Sequence, residues 1–98
     1  MAEPAYALDW IKQLFQQKRW VVTVTAANSA LNLGLDDNDI FDCVVNELSE
    51  SHFYKTMLAV KRAGLMQDVY RVTYKNQRIY LKLQVANGWA VVISFKEE

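Results

Sequence analysis

The spacing of hydrophobic residues changes at Leu48, and this change constrains the fold more than any other feature of the chain. Before Leu48 the hydrophobic residues recur every three to four positions, which is typical of amphipathic helices. After Leu48 they alternate with polar residues, which is typical of strands that bury one face. This order favours an α+β fold, with N-terminal helices packed on one face of an antiparallel sheet. Because 98 residues with 52% hydrophobic content can build one core, we expect a single domain over residues 1–98.

The first half of the chain predicts three helices and one short strand. The first helix runs from about Ala5 to Lys18 and buries a stripe of Ala7, Trp10, Ile11, Leu14 and Phe15. A strand at 20–25 follows, and then a short helix that Thr25 caps and Gly34 ends. The third helix begins at Asp36 or Asp37 and buries Ile40, Phe41, Val44, Val45 and Leu48. Its N-terminus explains the acidic cluster there better than a cation site does, because a helix start favours negative charge.

The second half predicts four antiparallel strands, at 52–57, 67–74, 78–85 and 89–96. The loops between them fall at 61–64, at 75–77 and at Asn87-Gly88, the last a strong hairpin signal. Alternation turns Ile79, Leu81, Leu83 and Val85 of the third strand, and Trp89, Val91, Ile93 and Phe95 of the fourth, toward the core. The opposite side of the sheet, called the open face below, then carries Gln67, Arg71, Arg78, Tyr80, Lys82 and Lys96, and Lys55 can join it from the first strand.

Charge is unevenly distributed although the whole chain is neutral. Residues 1–50 hold three basic and eight acidic side chains, and residues 51–98 hold eight basic and three acidic ones. The basic half therefore suits a polyanion, and a tyrosine among cations on a sheet suits RNA. A merely solvated sheet face would give the same alternation, so the pattern alone does not decide between these two interpretations.

The available residue types exclude several kinds of site. With one cysteine, Cys43, and one histidine, His52, the chain cannot form a disulfide framework or surround a transition metal with protein ligands. We expect Cys43 to be a small buried core residue, as free cysteines usually are. No stretch of about 18 uncharged residues could span a membrane, so we expect a cytoplasmic protein with no membrane contact.

Four motifs carry a family resemblance: LSESHFYKTM, MQDVYR, IYLKL and VVISFKEE, within residues 48–98. Their order and spacing resemble those of the MqsR motility quorum-sensing regulator toxins, which are RelE-like messenger-RNA endonucleases. The resemblance implies a RelE-like toxin domain, catalytic roles for Lys55, Gln67, Tyr80 and Lys96, and no cofactor. It also implies an MqsA-like antitoxin partner that binds zinc and carries a helix-turn-helix, and a short GCU-like cleavage site.

The reaction that this resemblance implies is metal-free cleavage of single-stranded messenger RNA, in which the ribose 2′-hydroxyl attacks the adjacent phosphorus. Tyr80 would give or take a proton, Lys55 and Lys96 would stabilise charge on the phosphorane, and Gln67 would orient the phosphate or base. The expected RNA-binding residues are Arg71, Arg78 and Lys82. Because tyrosine and lysine have ordinary pKa values of about 10, neighbouring charges must shift one of them for acid–base work at neutral pH.

Three residues depart from the family pattern. Met66 stands where a tryptophan is expected, Val72 where a proline is expected, and His52 where an acid is expected. The first two concern packing and loop shape, so we expect them to affect substrate preference. We expect His52 to be a bystander residue that takes no part in catalysis. Two other functions remain open at this point: an RNA- or ribosome-binding regulator without cleavage, and a protein-interaction domain whose acidic half meets a basic partner.

Overall fold

The computed structural model describes residues 3–60 and 64–98, so most of the predicted loop at 61–64 lies outside the described residues. The helices are α1 (Leu8–Gln16), α2 (Val24–Asn32) and α3 (Asp37–Asp42), and the strands are β1 (Trp20–Val22), β2 (Phe53–Leu58), β3 (Met66–Tyr74), β4 (Gln77–Ala86) and β5 (Trp89–Glu97). They form an α+β fold whose sheet has the order β1-β5-β4-β3-β2. The predicted antiparallel meander β2–β5 is confirmed, but the sheet is mixed, because β1 pairs with β5 in parallel.

The first helix begins later than its sequence predicts. The backbone N–H groups of Ala5 and Tyr6 donate to the carboxylate of Asp68, at 2.8 and 2.9 Å, and hold this segment outside the helix. As a result α1 buries Leu8, Ile11, Leu14 and Phe15. The predicted stripe was wrong at Ala7, which precedes the helix, and at Trp10, which lies beside the buried stripe, and both residues are exposed.

The second helix begins two residues earlier than predicted. The hydroxyl of Thr23 accepts a hydrogen bond from the backbone N–H of Ala26 at 3.1 Å, so Thr23 is the N-cap and Thr25 lies inside the helix. This ends β1 at Val22 and allows Ala26 to pack into the core. The predicted cap, Thr25, was therefore wrong by two positions. Gly34 follows the helix with φ +78°, as its predicted role requires.

The acidic start of α3 has the structural role that its sequence predicts. Asp36 caps the helix, and Asp36 and Asp39 each accept a hydrogen bond from the other's backbone N–H, at 3.1 and 3.0 Å.

The helix continues as a π-helical turn, Cys43–Glu47. Cys43 is buried there, and burial, followed by the charges of Glu47 and Asp42, raises the pKa of its thiol to about 12. The prediction of a buried core cysteine is therefore confirmed.

A β-bulge in β5 changes which side chains of this strand face the core. Lys82 pairs with Ser94 and Leu83 pairs with Val92, so Ile93 is an extra residue between the two pairs. One extra residue reverses the alternation of faces. The strand therefore buries Ala90, Val92 and Phe95 on the helix side. The prediction was right for Phe95 and wrong for Trp89, Val91 and Ile93, of which Trp89 is exposed and the other two lie half-buried on the open face.

A second bulge, in β2, turns Lys55 toward the open face. Phe53 pairs with Tyr70 and Lys55 pairs with Val69, which leaves Tyr54 as the extra residue. Without the bulge Phe53 and Lys55 would lie on one face, because they are two positions apart. With it, Phe53 packs against the core while Lys55 joins the other site residues.

The helices and one face of the sheet enclose the hydrophobic core. Core residues come from α1, α2, α3 and from β3, β4 and β5. The hairpin at Asn87-Gly88 forms as predicted, with positive φ at both residues. Within residues 3–60 and 64–98, no helix has the length and apolar character needed to cross a membrane.

Candidate functional site

Strand pairing brings most of the predicted site residues into two neighbouring rows of the open face. The first row contains Arg71, Tyr80 and Lys96, and the second contains Lys55, Val69, Lys82 and Ser94. Directly paired residues in a sheet have Cβ atoms about 4.5–5.5 Å apart. These two rows therefore place one tyrosine, Tyr80, among four cationic side chains, as the sequence predicts.

Tyr80 is the half-buried centre of this arrangement. The ammonium nitrogens of Lys96 and Lys82 lie 5.3 and 5.9 Å from the centroid of its ring. Both distances are within the range at which a cation is attracted by an aromatic ring, about 6 Å. Two cations beside a phenol can hold a phosphate group against its hydroxyl.

Lys82 differs from an ordinary surface lysine in its protonation. Partial burial lowers the pKa of its ammonium group, and the neighbouring charges of Lys96 and Lys55 lower it further. The clustered cations therefore contribute to the lowered pKa of Lys82, although burial contributes more; the sequence assigned Lys82 to RNA binding alone. A lysine of this kind releases its proton at a lower pH than a solvated lysine does.

Tyr54 belongs to the same face, although it was not among the predicted site residues. The guanidinium carbon of Arg71 lies 3.4 Å from the centroid of its ring, and the ammonium nitrogen of Lys55 lies 5.3 Å from it. The ring therefore packs against Arg71 and lies exposed between two cationic side chains. Regular alternation does not predict that Tyr54 lies on this face, because its position depends on the bulge in β2.

Gln67 lies on the open face but is almost completely buried, with 8% of its surface exposed. Its side-chain nitrogen donates to the side-chain oxygen of Gln84 at 3.1 Å, and Gln84 is 6% exposed. Val69, next to Gln67 on this face, is also buried. A solvated sheet face does not bury polar side chains. This observation favours a built site over a merely hydrated surface.

The same residues can be compared with known proteins. Residues 3–97 match the model of the family described as "Motility quorum-sensing regulator, toxin of MqsA". The chain is also 34% identical over 95 residues to the mRNA interferase toxin MqsR of Escherichia coli (strain K12), a match that covers 97% of this chain and 95% of that protein. The chain belongs to the motility quorum-sensing regulator toxin family. The resemblance seen in four short motifs is therefore confirmed over nearly the whole chain.

In this motility quorum-sensing regulator toxin, Glu98 holds two of the predicted RNA-binding arginines. Its carboxylate oxygens lie 3.0 Å from Nε of Arg71 and 2.8 Å from an Nη of Arg78. Arg78 is thereby kept at one end of the open face, in a row beyond Tyr80. A phosphate that binds these arginines must displace Glu98 or share the arginines with it. The sequence analysis did not include Glu98 in the open face, although its spacing of two residues from Lys96 could have placed it there.

Two other titratable residues of this toxin have structural roles. The Nδ1 atom of His52 accepts a hydrogen bond from the backbone N–H of Ser49 at 3.0 Å, which agrees with the bystander role expected for it. Asp68 points to the helix side and accepts the hydrogen bonds of the N-terminal segment. It is therefore turned away from Gln67, as alternation predicts.

Proposed function

We propose that this chain is the toxin of a toxin–antitoxin pair and a metal-independent endoribonuclease that cleaves single-stranded messenger RNA. Membership of the toxin family and the activity named in its Escherichia coli relative support the class of reaction. The observation that carries the proposal for this chain is the position of Tyr80 between Lys82 and Lys96. That arrangement supplies a proton-transfer group and the positive charge that a phosphorane needs.

The proposed reaction needs only groups that the open face carries. The 2′-oxygen of the ribose forms a bond to the adjacent phosphorus, and the bond from phosphorus to the 5′-oxygen breaks. Tyr80 gives or takes a proton in this exchange, while Lys55 and Lys96 stabilise the negative charge of the phosphorane. Gln67 orients the substrate. The products are a 2′,3′-cyclic phosphate and a 5′-hydroxyl.

Lys82 is the second candidate for accepting the 2′-hydroxyl proton. Because its pKa is lowered, more of its amine is neutral and free to accept a proton at a given pH than in a solvated lysine, and its nitrogen lies near the Tyr80 ring. In that case Tyr80 would protonate the leaving oxygen. Arg71 and Arg78 bind flanking phosphates in either assignment, with Tyr54 orienting Arg71.

The partner expected for this toxin is an MqsA-like antitoxin, which binds zinc and carries a helix-turn-helix. The description of the family as toxin of MqsA supports an antitoxin partner. We place the toxin in the cytoplasm, where its messenger-RNA substrate is found. A short GCU-like sequence is the cleavage site that the family resemblance favours.

Cleavage by the purified protein provides the first test. We expect it to cut a defined single-stranded RNA in the presence of excess chelator, because its site residues are cations, an amide and a phenol. We also expect no cut where the scissile nucleotide lacks its 2′-hydroxyl, since that oxygen is the nucleophile. Metal-dependent nucleases behave in the opposite way, because their nucleophile is a metal-activated water.

The end groups of the products separate the alternatives. A 5′-phosphate, or activity that is lost with chelator and regained with magnesium, would contradict the mechanism even for a genuine ribonuclease. Tight RNA binding without any cleavage, by protein whose fold is verified, would instead favour the non-catalytic RNA- or ribosome-binding regulator.

A further inference from the structure

A pocket of about 460 Å³ opens on the sheet beside the lysine and tyrosine cluster. Its lining residues are Thr23, Thr25, Ala59, Val60, Gln67, Lys82, Gln84 and Ile93. Pockets that hold small organic ligands have volumes of about 300–1,000 Å³, so a nucleobase fits within this space. Lys82 belongs both to the pocket and to the neighbourhood of Tyr80, so a nucleotide bound here lies next to the proposed chemistry.

The buried polar groups of this pocket come from Gln67 and Gln84. Each side chain is more than nine-tenths buried, and the hydrogen bond between them fixes both amides. Within the described part of the chain, the side-chain oxygen of Gln67 and the side-chain nitrogen of Gln84 form no hydrogen bond. Among the described residues Tyr70 Oη is the one fully enclosed side-chain atom without a partner, so the amide atoms of Gln67 and Gln84 are not sealed off, and a ligand in the pocket can supply the partner that buried polar groups normally have.

The free groups are mostly hydrogen-bond donors. Gln84 offers the N–H groups of its amide, Gln67 offers its second N–H and one carbonyl oxygen, and Lys82 offers N–H groups in either protonation state. A set rich in donors matches a base that presents a carbonyl oxygen. Guanine presents O6 and N7, and uracil presents O4 and O2, whereas adenine and cytosine present an amino group at the corresponding position.

We propose that this pocket binds one base of the substrate RNA, guanine or uracil, and that Gln84 with Gln67 and Lys82 selects that base. The proposal rests on the proposed function for its biological meaning, but base binding can be measured without cleavage. Gln84 is a specificity residue, because its amide contacts a base edge and takes no part in bond breaking.

Nuclear magnetic resonance of the side-chain amides tests the pocket directly. Uniformly labelled protein is titrated with the 5′-monophosphates of guanosine, uridine, adenosine and cytidine, so that the phosphate contribution is similar in all four. We expect guanosine and uridine monophosphate to shift the Gln67 and Gln84 amide signals. Equal concentrations of the adenosine and cytidine nucleotides should shift them several-fold less. Equal shifts with all four nucleotides, or no shift of these signals, would overturn the proposal.

Substitutions at Gln84 test selection during cleavage of a long transcript. Gln84→Leu should reduce the preference for guanine or uracil at one position of the site by about tenfold, the order contributed by one good base contact. Gln84→Glu keeps an acceptor for Gln67 and replaces the free donor by an acceptor, so it should shift preference toward adenine or cytosine. Gln16→Leu, the same change at an exposed position of α1, should leave the preference unchanged.

The two sets of results distinguish failure of this proposal from failure of the proposed function. Amide shifts with guanosine and uridine monophosphate, without cleavage of any RNA, would retain the pocket and reject the nuclease. Cleavage with an unchanged site preference in both Gln84 variants would retain the nuclease and reject the role of Gln84. The amide spectrum of each variant shows whether it has folded.

Discussion

Tyr80 is the residue on which the proposed chemistry depends most. Its hydroxyl can exchange a proton, and Lys82 and Lys96 beside its ring can hold the charge of the reacting phosphate. Strand pairing also places a cationic side chain on each side of Tyr80, with Arg71 on one side and Lys96 on the other. A change in any of these side chains should therefore affect cleavage more than folding.

We expect Tyr80→Phe and Lys96→Ala to reduce the cleavage rate by about hundredfold or more, the order lost with a general acid or base in the first case and with a group that stabilises transition-state charge in the second. Both side chains face away from the core, so the free energy of unfolding should change by no more than about 0.5 kcal/mol. Single-turnover cleavage and urea unfolding provide the two measurements. Lys18→Ala, at an exposed lysine, is the control for lost charge.

The outcome for Tyr80→Phe also bears on the choice of proton acceptor. Full activity in this variant would remove Tyr80 from proton transfer and leave that role to Lys82. Unfolding of either variant would show that the side chain supports the fold, contrary to its position on the open face.

At the residue scale, sequence was a good guide to side chains that follow regular alternation. Tyr80, Lys82 and Lys96 were all placed on the open face correctly. Tyr54 was missed because its position depends on a bulge, and the partnership of Gln67 with Gln84 was missed because a hydrogen bond across strands needs the register. The roles of these residues in catalysis remain predictions.

At the scale of elements, the turn between β3 and β4 is fastened to α3 by a group of polar side chains. The hydroxyl of Tyr74 donates to the carboxylates of Asp39 and Asp42 at 3.1 and 2.7 Å. Lys75 forms an ion pair with Asp39 at 2.7 Å. The hydrogen bond from Lys75, followed by that from the backbone of Asp36, lowers the pKa of Asp39 to about 2.

This attachment predicts a loss of stability in acid. Because the pKa of Asp39 is lower in the folded chain than its ordinary value of 3.8, its contribution is complete above about pH 4. That contribution is lost as the pH falls through about 2. We expect Lys75→Gln to make the acid-induced fall in unfolding free energy smaller than it is in the wild type, as measured by urea unfolding.

Lys18→Gln is the matched control for this prediction. Lys18 and Lys75 both have positive φ, 61° and 48°, so the two substitutions encounter the same backbone conformation. Lys18 has no ion pair with the described residues. The pH dependence of the Lys18 variant should match that of the wild type, and an unchanged dependence in Lys75→Gln would disprove the assignment.

Sequence predicted the helices and the meander, and it failed where a distant contact decided the outcome. The parallel pairing of β1 with β5 joins segments about 70 residues apart, so no local sequence pattern predicts it. The start of α1 depends on Asp68, which is about 60 residues away. Thr25 was predicted as the cap of α2, but Thr23 has this role and Ala26 is buried.

For the whole molecule, the important property is the separation of charge between its two halves. Acidic side chains lie mainly in residues 1–50, and the basic ones gather in the half that forms the meander. Glu98 is an exception, because it lies at the edge of the open face and binds Arg71 and Arg78. It therefore weakens the attraction of this face for a polyanion.

We expect Glu98→Gln to bind single-stranded RNA more tightly than the wild type at low salt, because it frees both arginines. Its affinity should also fall more steeply with salt, by about 0.7 in the logarithmic slope for each additional phosphate contact. Fluorescence anisotropy with an RNA blocked at its 2′-hydroxyls measures binding without cleavage.

Glu97→Gln makes the same change of net charge on the other side of the strand, where Glu97 pairs with Ile79. It should alter affinity and salt slope less than Glu98→Gln does. Equal effects of the two substitutions would mean that overall charge, and not release of the arginines, governs binding.

The bulges at Tyr54 and Ile93 lie on the two outer strands of the meander, on either side of the row that contains Lys82. Each adds one unpaired residue, so deletion of Ile93 alone would leave the pairs before and after it intact. The two bulges are therefore dispensable for pairing, but each adds a local twist beside the row that contains Lys82. In evolutionary terms, single-residue insertions or deletions at these two positions can reshape the proposed catalytic surface while the hydrophobic core keeps its composition.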